Sequence, residues 1–163
     1  MSEKKIIYII GIGGTGMSAL AGLLKQSGQH VIGSDLSIYP PVSDLLRRYG
    51  IEVRTPYKKE NVPLEADLIV VGNAVSKNNP EVKVALESGI RYASFPEVLR
   101  EFFLKNRKSL VVAGTHGKTT TSSLLAWVLK EAGKMPGFLI GGWLKNFDSN
   151  YGYQLRQIHI VHK

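Results

Sequence analysis

The sequence predicts an α/β protein, with a Rossmann-like parallel-sheet domain followed by the start of a second α/β domain. Three observations carry this expectation. Short β-rich apolar runs alternate with helical patterns through the first hundred residues, as βαβ units around a parallel sheet do. A glycine-rich turn, GIGGTG, lies directly between the first apolar run and the first helical pattern. A second turn, GTHGKT from Gly114, again separates an apolar run from a helix.

In chain order, strands are expected at Ile6 to Ile10, His30 to Gly33, Glu52 to Arg54, Asp67 to Val71, Arg91 to Ala93 and Ser109 to Ala113. The first helix runs from about Gly14 to Ser27 and stops at Gly28; the second covers Ser43 to Tyr49 and stops at Gly50. Asn79, Pro80 and Glu81 read as a cap, a first-turn proline and an acid favoured by the helix dipole, opening a helix that ends at Gly89. Phe95, Pro96 and Glu97 open another, whose polar end at Lys105 to Lys108 reads as a linker. A last helix spans Lys118 to Ala132 and closes at Gly133. The domains are therefore placed at 1–104 and 105–163. One strand and one helix cannot cover both faces of a parallel sheet. Residues 109–163 are thus expected to be poorly ordered or associated with another chain, with the strand SLVVA short of partners.

Composition narrows the class. With 44% apolar and 21% charged residues, the chain is an ordinary globular sequence. No run approaches the roughly 18 apolar residues of a membrane span, and the start MSEKKIIYIIGIGG breaks its apolar stretch with turn glycines, so neither a membrane partner nor a signal peptide is expected. The lack of cysteine fits a reducing cytoplasm. The net charge of +8 is uneven: residues 1–100 hold 12 basic and 10 acidic side chains, residues 101–163 hold 9 and 3. It comes without a long basic run or interleaved aromatics, so no nucleic-acid partner is expected.

The first glycine turn has Gly11, Gly13 and Gly16 between strand and helix. Glycines there allow a tight turn and close backbone approach, and the free amides at the helix start attract a phosphate or pyrophosphate. Asp35 ends the next strand, where a carboxylate can accept from a ribose hydroxyl. A plain βα turn with Asp35 as a cap would use the same residues, and a dinucleotide and a nucleotide-diphosphate sugar present the same pyrophosphate.

The second turn, Gly114, Thr115, His116, Gly117, Lys118 and Thr119, resembles a P-loop. Backbone amides there wrap phosphates, the lysine neutralises the terminal ones and a hydroxyl ligates Mg²⁺. It departs from the usual pattern at Val112, where the first glycine would stand. Lys118 is the candidate catalytic residue, Thr119 takes the metal position, Thr120 adds a phosphate contact, and Thr121 supports the helix start. His116 is read as a loop residue that acts through its backbone. His30, His159 and His162 receive no role, having no acidic partner at metal-ligand spacing.

Two such loops about 100 residues apart resemble the Mur ligase superfamily of peptidoglycan synthesis. Within it, GIGGTGMSALAGLL, GSDL, VVGNAVSKNNPE and AGTHGKTTTSSLLAWVL resemble the branch acting on UDP-N-acetylmuramate. The resemblance covers about residues 5–150. It implies activation of the muramyl carboxylate by ATP as an acyl phosphate, then amide formation with an amine substrate, either L-alanine or the murein tripeptide. The segments SIYPPVSDLL, VGNAVS, FPEVLREFFL and GFLIGGWLKNF look more like the tripeptide-adding, recycling member. Carried over, Gly11, Ile12, Gly13, Gly14, Thr15 and Gly16 bind the UDP-sugar diphosphate and Asp35 the uridine end. Asn73, Ala74 and Ser76 face the same ligand, and Gly114 to Thr120 hold ATP and Mg²⁺.

The family pattern continues past residue 150 with a Mg²⁺-binding glutamate, a modified lysine and a closing domain, none of which is found in this sequence. YGYQLRQIHIVHK does not look like that continuation, as a disrupted reading frame or degraded gene would explain. The chain is thus expected to bind nucleotides without turnover. A standalone UDP-sugar sensor and a nicotinamide-dependent oxidoreductase are the competing readings; the latter has no use for Lys118 and Thr119.

Overall fold

The computed structural model of the chain describes residues 4–105, 107–144, 146–147, 149–153 and 158–162. Two compact units divide it, Met1–Leu99 and Arg100–Lys163.

In the first unit, β1 (Ile6–Ile10), β2 (His30–Ser34), β3 (Glu52–Arg54), β4 (Leu68–Val71) and β5 (Tyr92–Ser94) form one parallel sheet in the order β3-β2-β1-β4-β5. Every strand expected before residue 105 is present, with ends shifted by at most one residue. β1 is central, and Ile7, Tyr8, Ile9 and Ile10 have no exposed surface, as a strand covered on both faces requires. Alternation sends Tyr8 and Ile10 into a cluster with Ile69, Val62, Val82 and Ala85, leaving Ile7 and Ile9 for the opposite face.

The intervening helices are α1 (Thr15–Gln26), α2 (Val42–Arg48), α3 (Pro80–Glu87) and α4 (Phe95–Leu99). α1 buries Ala19, Leu20, Leu23 and Leu24. Asn79 caps α3 as expected, its Oδ1 accepting from the Glu81 amide at 2.8 Å. At the opening of α4 the Ser94 amide and hydroxyl both donate to Glu97 Oε2, at 2.7 and 2.6 Å. The Ser94 hydroxyl first, then its amide, holds the Glu97 carboxyl below its ordinary range. Beyond α4 the chain makes one π turn over Arg100–Leu104, with the Lys105 amide donating to the Arg100 carbonyl at 2.8 Å.

The second unit corrects the expectation that the strand SLVVA is short of partners. β6 (Lys108–Val112), β7 (Gly137–Leu144), β8 (Ser149–Gly152) and β9 (Ile158–His162) form a four-stranded sheet in the order β6-β9-β7-β8. β9 lies parallel to both β6 and β7, with Val112 opposite His162 at the carboxyl ends, so SLVVA does have a partner strand. β7 was hidden by its composition, because three of its eight residues, in GFLIGGWL, are glycines that punctuate the apolar run. α5 (Lys118–Glu131) packs Ala126, Leu125 and Leu129 against Phe138, Ile140 and Leu144. Phe147 stacks edge-on against Trp127, and the Lys130 ammonium lies 5.1 Å from both ring centres.

Glu81 ties the first unit together. It lies in the first turn of α3 but is fully buried, reaching inward rather than toward solvent. Its Oε2 accepts from the hydroxyls of Tyr8 on β1 and Ser34 on β2. Its Oε1 accepts from the Lys58 amide at 3.0 Å and Asn61 Nδ2 at 2.7 Å, both in the segment after β3. Burial, chiefly, pushes the Tyr8 phenol well above its ordinary value, so it remains a donor. Removing this carboxylate strands four donors. Glu81→Ala is expected to lower the stability of the first unit by ~3 kcal/mol or more, while exposed Glu87→Ala on the same helix changes it by less than ~0.5 kcal/mol. Urea unfolding checks this, and equal midpoints for the two variants would contradict it.

Candidate functional site

The strand order sets the carboxyl ends of β3, β2, β1 and β4 side by side, and the loops leaving them enclose a cleft of about 580 Å³. Gly11, Gly13 and Gly14 line it from the β1 turn, Asp35 from the end of β2, and Asn73, Ala74 and Ser76 from the loop after β4. Seven of the ten residues expected to hold a sugar nucleotide are thus brought together. Ile12 is fully buried, so only its backbone belongs to the turn, and Thr15 and Gly16 are exposed at the start of α1.

Close approach explains the glycines. Gly11 adopts φ +83°, and a Cβ there would stand 2.7 Å from Val75 Cγ2, so the turns after β1 and β4 meet only because a side chain is missing. At Gly13 a Cβ would stand 2.8 Å from Asp35 Oδ2, the atom that accepts the Gly13 amide at 2.7 Å. The Gly11 and Ile12 amides both donate to the Ser34 carbonyl, at 2.8 and 3.0 Å. The Gly14 amide donates to the Gly11 carbonyl at 3.4 Å, so four turn amides are committed to the protein. The amides at the head of α1, from Thr15 to Met17, are those that an α-helix leaves without an internal acceptor.

Asp35 has more neighbours than its sequence position suggested. Its Oδ1 accepts from the Leu36 amide at 2.7 Å and from the Tyr57 hydroxyl at 3.3 Å. Tyr57, two residues beyond Thr55 after β3, lines the cleft, and sequence reasoning missed it. The signal was there: an aromatic residue just past a strand that pairs with β2 must stand near the end of β2. Burial first, then the Asp35 charge, pushes the Tyr57 phenol up to about 12. Ser76 serves the loop as well as the cleft, its Oγ accepting the Asn78 amide at 3.2 Å.

The second loop joins β6 to α5. Gly117 has φ +74° with open space where a Cβ would be, and Lys118 is the first residue of α5. The Lys118 ammonium donates to the carbonyls of Gly114 at 2.7 Å and Thr115 at 3.4 Å, folding the side chain over its own loop. Gly114, Thr115, His116 and Thr120 are exposed and Thr119 is half-buried. This cradle fits a polyphosphate: backbone amides at a helix start, a cation within reach, and no side chain in the way at Gly117. For a divalent ion, Thr119 is the available hydroxyl; among the described residues no three His, Cys, Asp or Glu side chains gather around a metal site.

The sequence profile of the Mur ligase family, catalytic domain, matches residues 6–107. The chain belongs to the Mur ligase family. It is 46% identical over 142 residues to the UDP-N-acetylmuramate–L-alanyl-γ-D-glutamyl-meso-2,6-diaminoheptandioate ligase of Escherichia coli K12, covering 87% of this chain and 31% of that protein. It is 44% identical over 144 residues to the UDP-N-acetylmuramate–L-alanine ligase of Oleidesulfovibrio alaskensis, covering 88% and 31%. Among solved structures, the ligase of the first kind from Neisseria meningitides superposes with a TM-score of 0.90 at 39% identity, over 98% of this chain and 52% of that one. The chain spans about a third of the length of the curated relatives it matches. Among the described residues no helix is long and apolar enough to cross a membrane.

The Tyr57 phenol supplies a pH test. Its folded-state value lies above the ordinary 10, so the folded chain keeps a proton that the unfolded chain loses. Its contribution to stability is complete below pH 10 and is lost as pH rises to about 12. Tyrosinate absorbance should show a component near pH 12 that Tyr57→Phe removes. A titration with no component near pH 12 that depends on Tyr57 would contradict the geometry.

Proposed function

We propose that this chain is the sugar-nucleotide-binding and ATP-binding part of a cytoplasmic ATP-dependent ligase. That ligase joins UDP-N-acetylmuramate to the murein tripeptide L-alanyl-γ-D-glutamyl-meso-diaminopimelate. The observation that carries this reading is the pairing, within one chain of this family, of the cleft over β1 and β2 with the lysine-bearing loop before α5. Enzymes of the family use ATP and Mg²⁺. The tripeptide is favoured as the amine substrate by the 46% identity to a tripeptide ligase; the 44% identity to an L-alanine ligase keeps L-alanine as the second reading.

In this reading residues 1–104 hold the UDP-sugar. Its pyrophosphate lies against the amides at the head of α1 and the Gly11 to Gly16 turn, its nucleoside beside Asp35, and Asn73, Ala74 and Ser76 close the cleft. Residues 105–163 carry the ATP loop. ATP with Mg²⁺ supplies the phosphoryl group that activates the muramyl carboxylate for attack by the amine. Lys118 exchanges the Gly114 and Thr115 carbonyls for phosphate oxygens, placing its charge where negative charge builds up. Thr119 turns its hydroxyl to the metal, while Gly114, Thr115, His116, Gly117 and Thr120 line the phosphates.

Two binding experiments test this. UDP-N-acetylmuramate should raise the melting temperature, with ~2.7 kcal/mol of stabilisation at 100 times its dissociation constant; stabilisation by NAD but not by the UDP-sugar would overturn the first site. Lys118→Ala should abolish ATP binding and leave UDP-sugar binding intact. Loss of both ligands would show that Lys118 supports the fold rather than phosphate.

A further inference from the structure

The Asp35 carboxylate enters the cleft with most of its accepting capacity already used. Two oxygens offer about four lone pairs. The Leu36 amide and the Tyr57 hydroxyl take those of Oδ1, and the Gly13 amide takes one on Oδ2. One acceptor position remains, on Oδ2. A ribose bound only by this carboxylate could therefore place one hydroxyl on it and not two.

Tyr57 is placed to take the second. Its ring packs on one side against the core cluster beneath the sheet, and it lines the cleft. Its hydroxyl lies 3.8 Å from the point where a Gly11 side chain would begin, so it reaches across the end of β2 toward the pyrophosphate turn. The phenol proton is spent on Asp35, which leaves the phenol oxygen as an acceptor. The backbone on either side is clamped: Asn61 Nδ2 holds the Pro56 carbonyl at 2.9 Å and Glu81 Oε1 holds the Lys58 amide at 3.0 Å. The side chain is thus carried on a fixed support rather than a free loop.

We propose that Asp35 and Tyr57 form one composite receptor for the nucleoside, in which Asp35 Oδ2 accepts one ribose hydroxyl and the Tyr57 phenol oxygen accepts the adjacent donor. Tyr57 is then a specificity-determining residue for ligands with a ribose cis-diol next to a pyrophosphate. This rests on the reading of the cleft as a nucleotide site and adds the residue that discriminates within it.

The test compares UDP, 2′-deoxy-UDP and inorganic pyrophosphate on wild type and Tyr57→Phe by calorimetry; phenylalanine keeps the ring and its packing. Loss of one hydrogen bond predicts UDP binding weakened roughly 3- to 10-fold in the variant. Pyrophosphate affinity should be unchanged, and wild-type preference for UDP over 2′-deoxy-UDP should shrink. A purely structural tyrosine would weaken all three ligands alike. Unchanged UDP affinity in Tyr57→Phe, or an equal loss for pyrophosphate, overturns the receptor. Should wild type ignore UDP but bind NAD with the same dependence on Tyr57, the sugar-nucleotide reading falls and the composite receptor stands; binding of neither nucleotide overturns both.

Discussion

A buried carboxylate is the constraint on which the first unit turns. Taking an isolated ionised carboxyl out of water costs several kcal/mol even after relaxation, so Glu81 is tolerable only where donors converge on it. Four do, and every one is neutral: two hydroxyls, a backbone amide and a side-chain amide. They come from β1, β2 and the segment after β3, while Glu81 itself starts α3. The position of α3 relative to the sheet and the course of residues 56–61 are therefore one problem with one solution. Displacing any of these elements leaves a charge or a donor unpaired, which is a steeper penalty than the loss of an apolar contact of similar size.

That solution reaches the candidate site through Tyr57. Glu81 fixes the Lys58 amide, which follows Tyr57 directly; Tyr57 bonds Asp35; and Asp35 holds the Gly13 amide. Each link is a hydrogen bond between different elements, so the glycine turn is held at both ends, by Ser34 and Asp35 on one side and by contact with Val75 on the other. Preorganisation of this kind lowers the ordering cost of binding, because fewer side chains must be immobilised when a ligand enters.

The parts of this arrangement that were legible in the sequence are local ones. The β1 turn could be read because glycines between an apolar strand and a helix have few other uses, and the α3 cap because Asn79, Pro80 and Glu81 lie next to each other. What Glu81 does could not be read. Its position in the first turn fits the helix dipole equally well, and its partners lie 20 to 73 residues away. Tyr57 stayed hidden for a related reason, since its importance depends on β3 pairing with β2 and on a turn that brings residue 57 back over residue 35. In the second unit the turn from Gly114 to Thr119 was clear, yet β7 and β9 were not. Glycines interrupt the first of these, and the second, IHIVH, carries two histidines that break its apolar pattern, in a segment that does not look like the family's continuation.

The two loops differ in how ready they are. Around the first, the protein's own donors and acceptors are engaged in the geometry that a ligand would meet. Around the second, the Lys118 ammonium is folded over its own loop, donating to the carbonyls of Gly114 and Thr115. An ammonium so placed must give up those bonds before it can meet a phosphate, and the exchange favours phosphate because a charged acceptor forms a stronger bond than a neutral carbonyl. The same bonds keep the lysine near the loop meanwhile, so less rotamer entropy is lost on binding than for a side chain extended into water. In the proposed reading, phosphate would draw the ammonium off these carbonyls by a side-chain rearrangement at the first residue of α5.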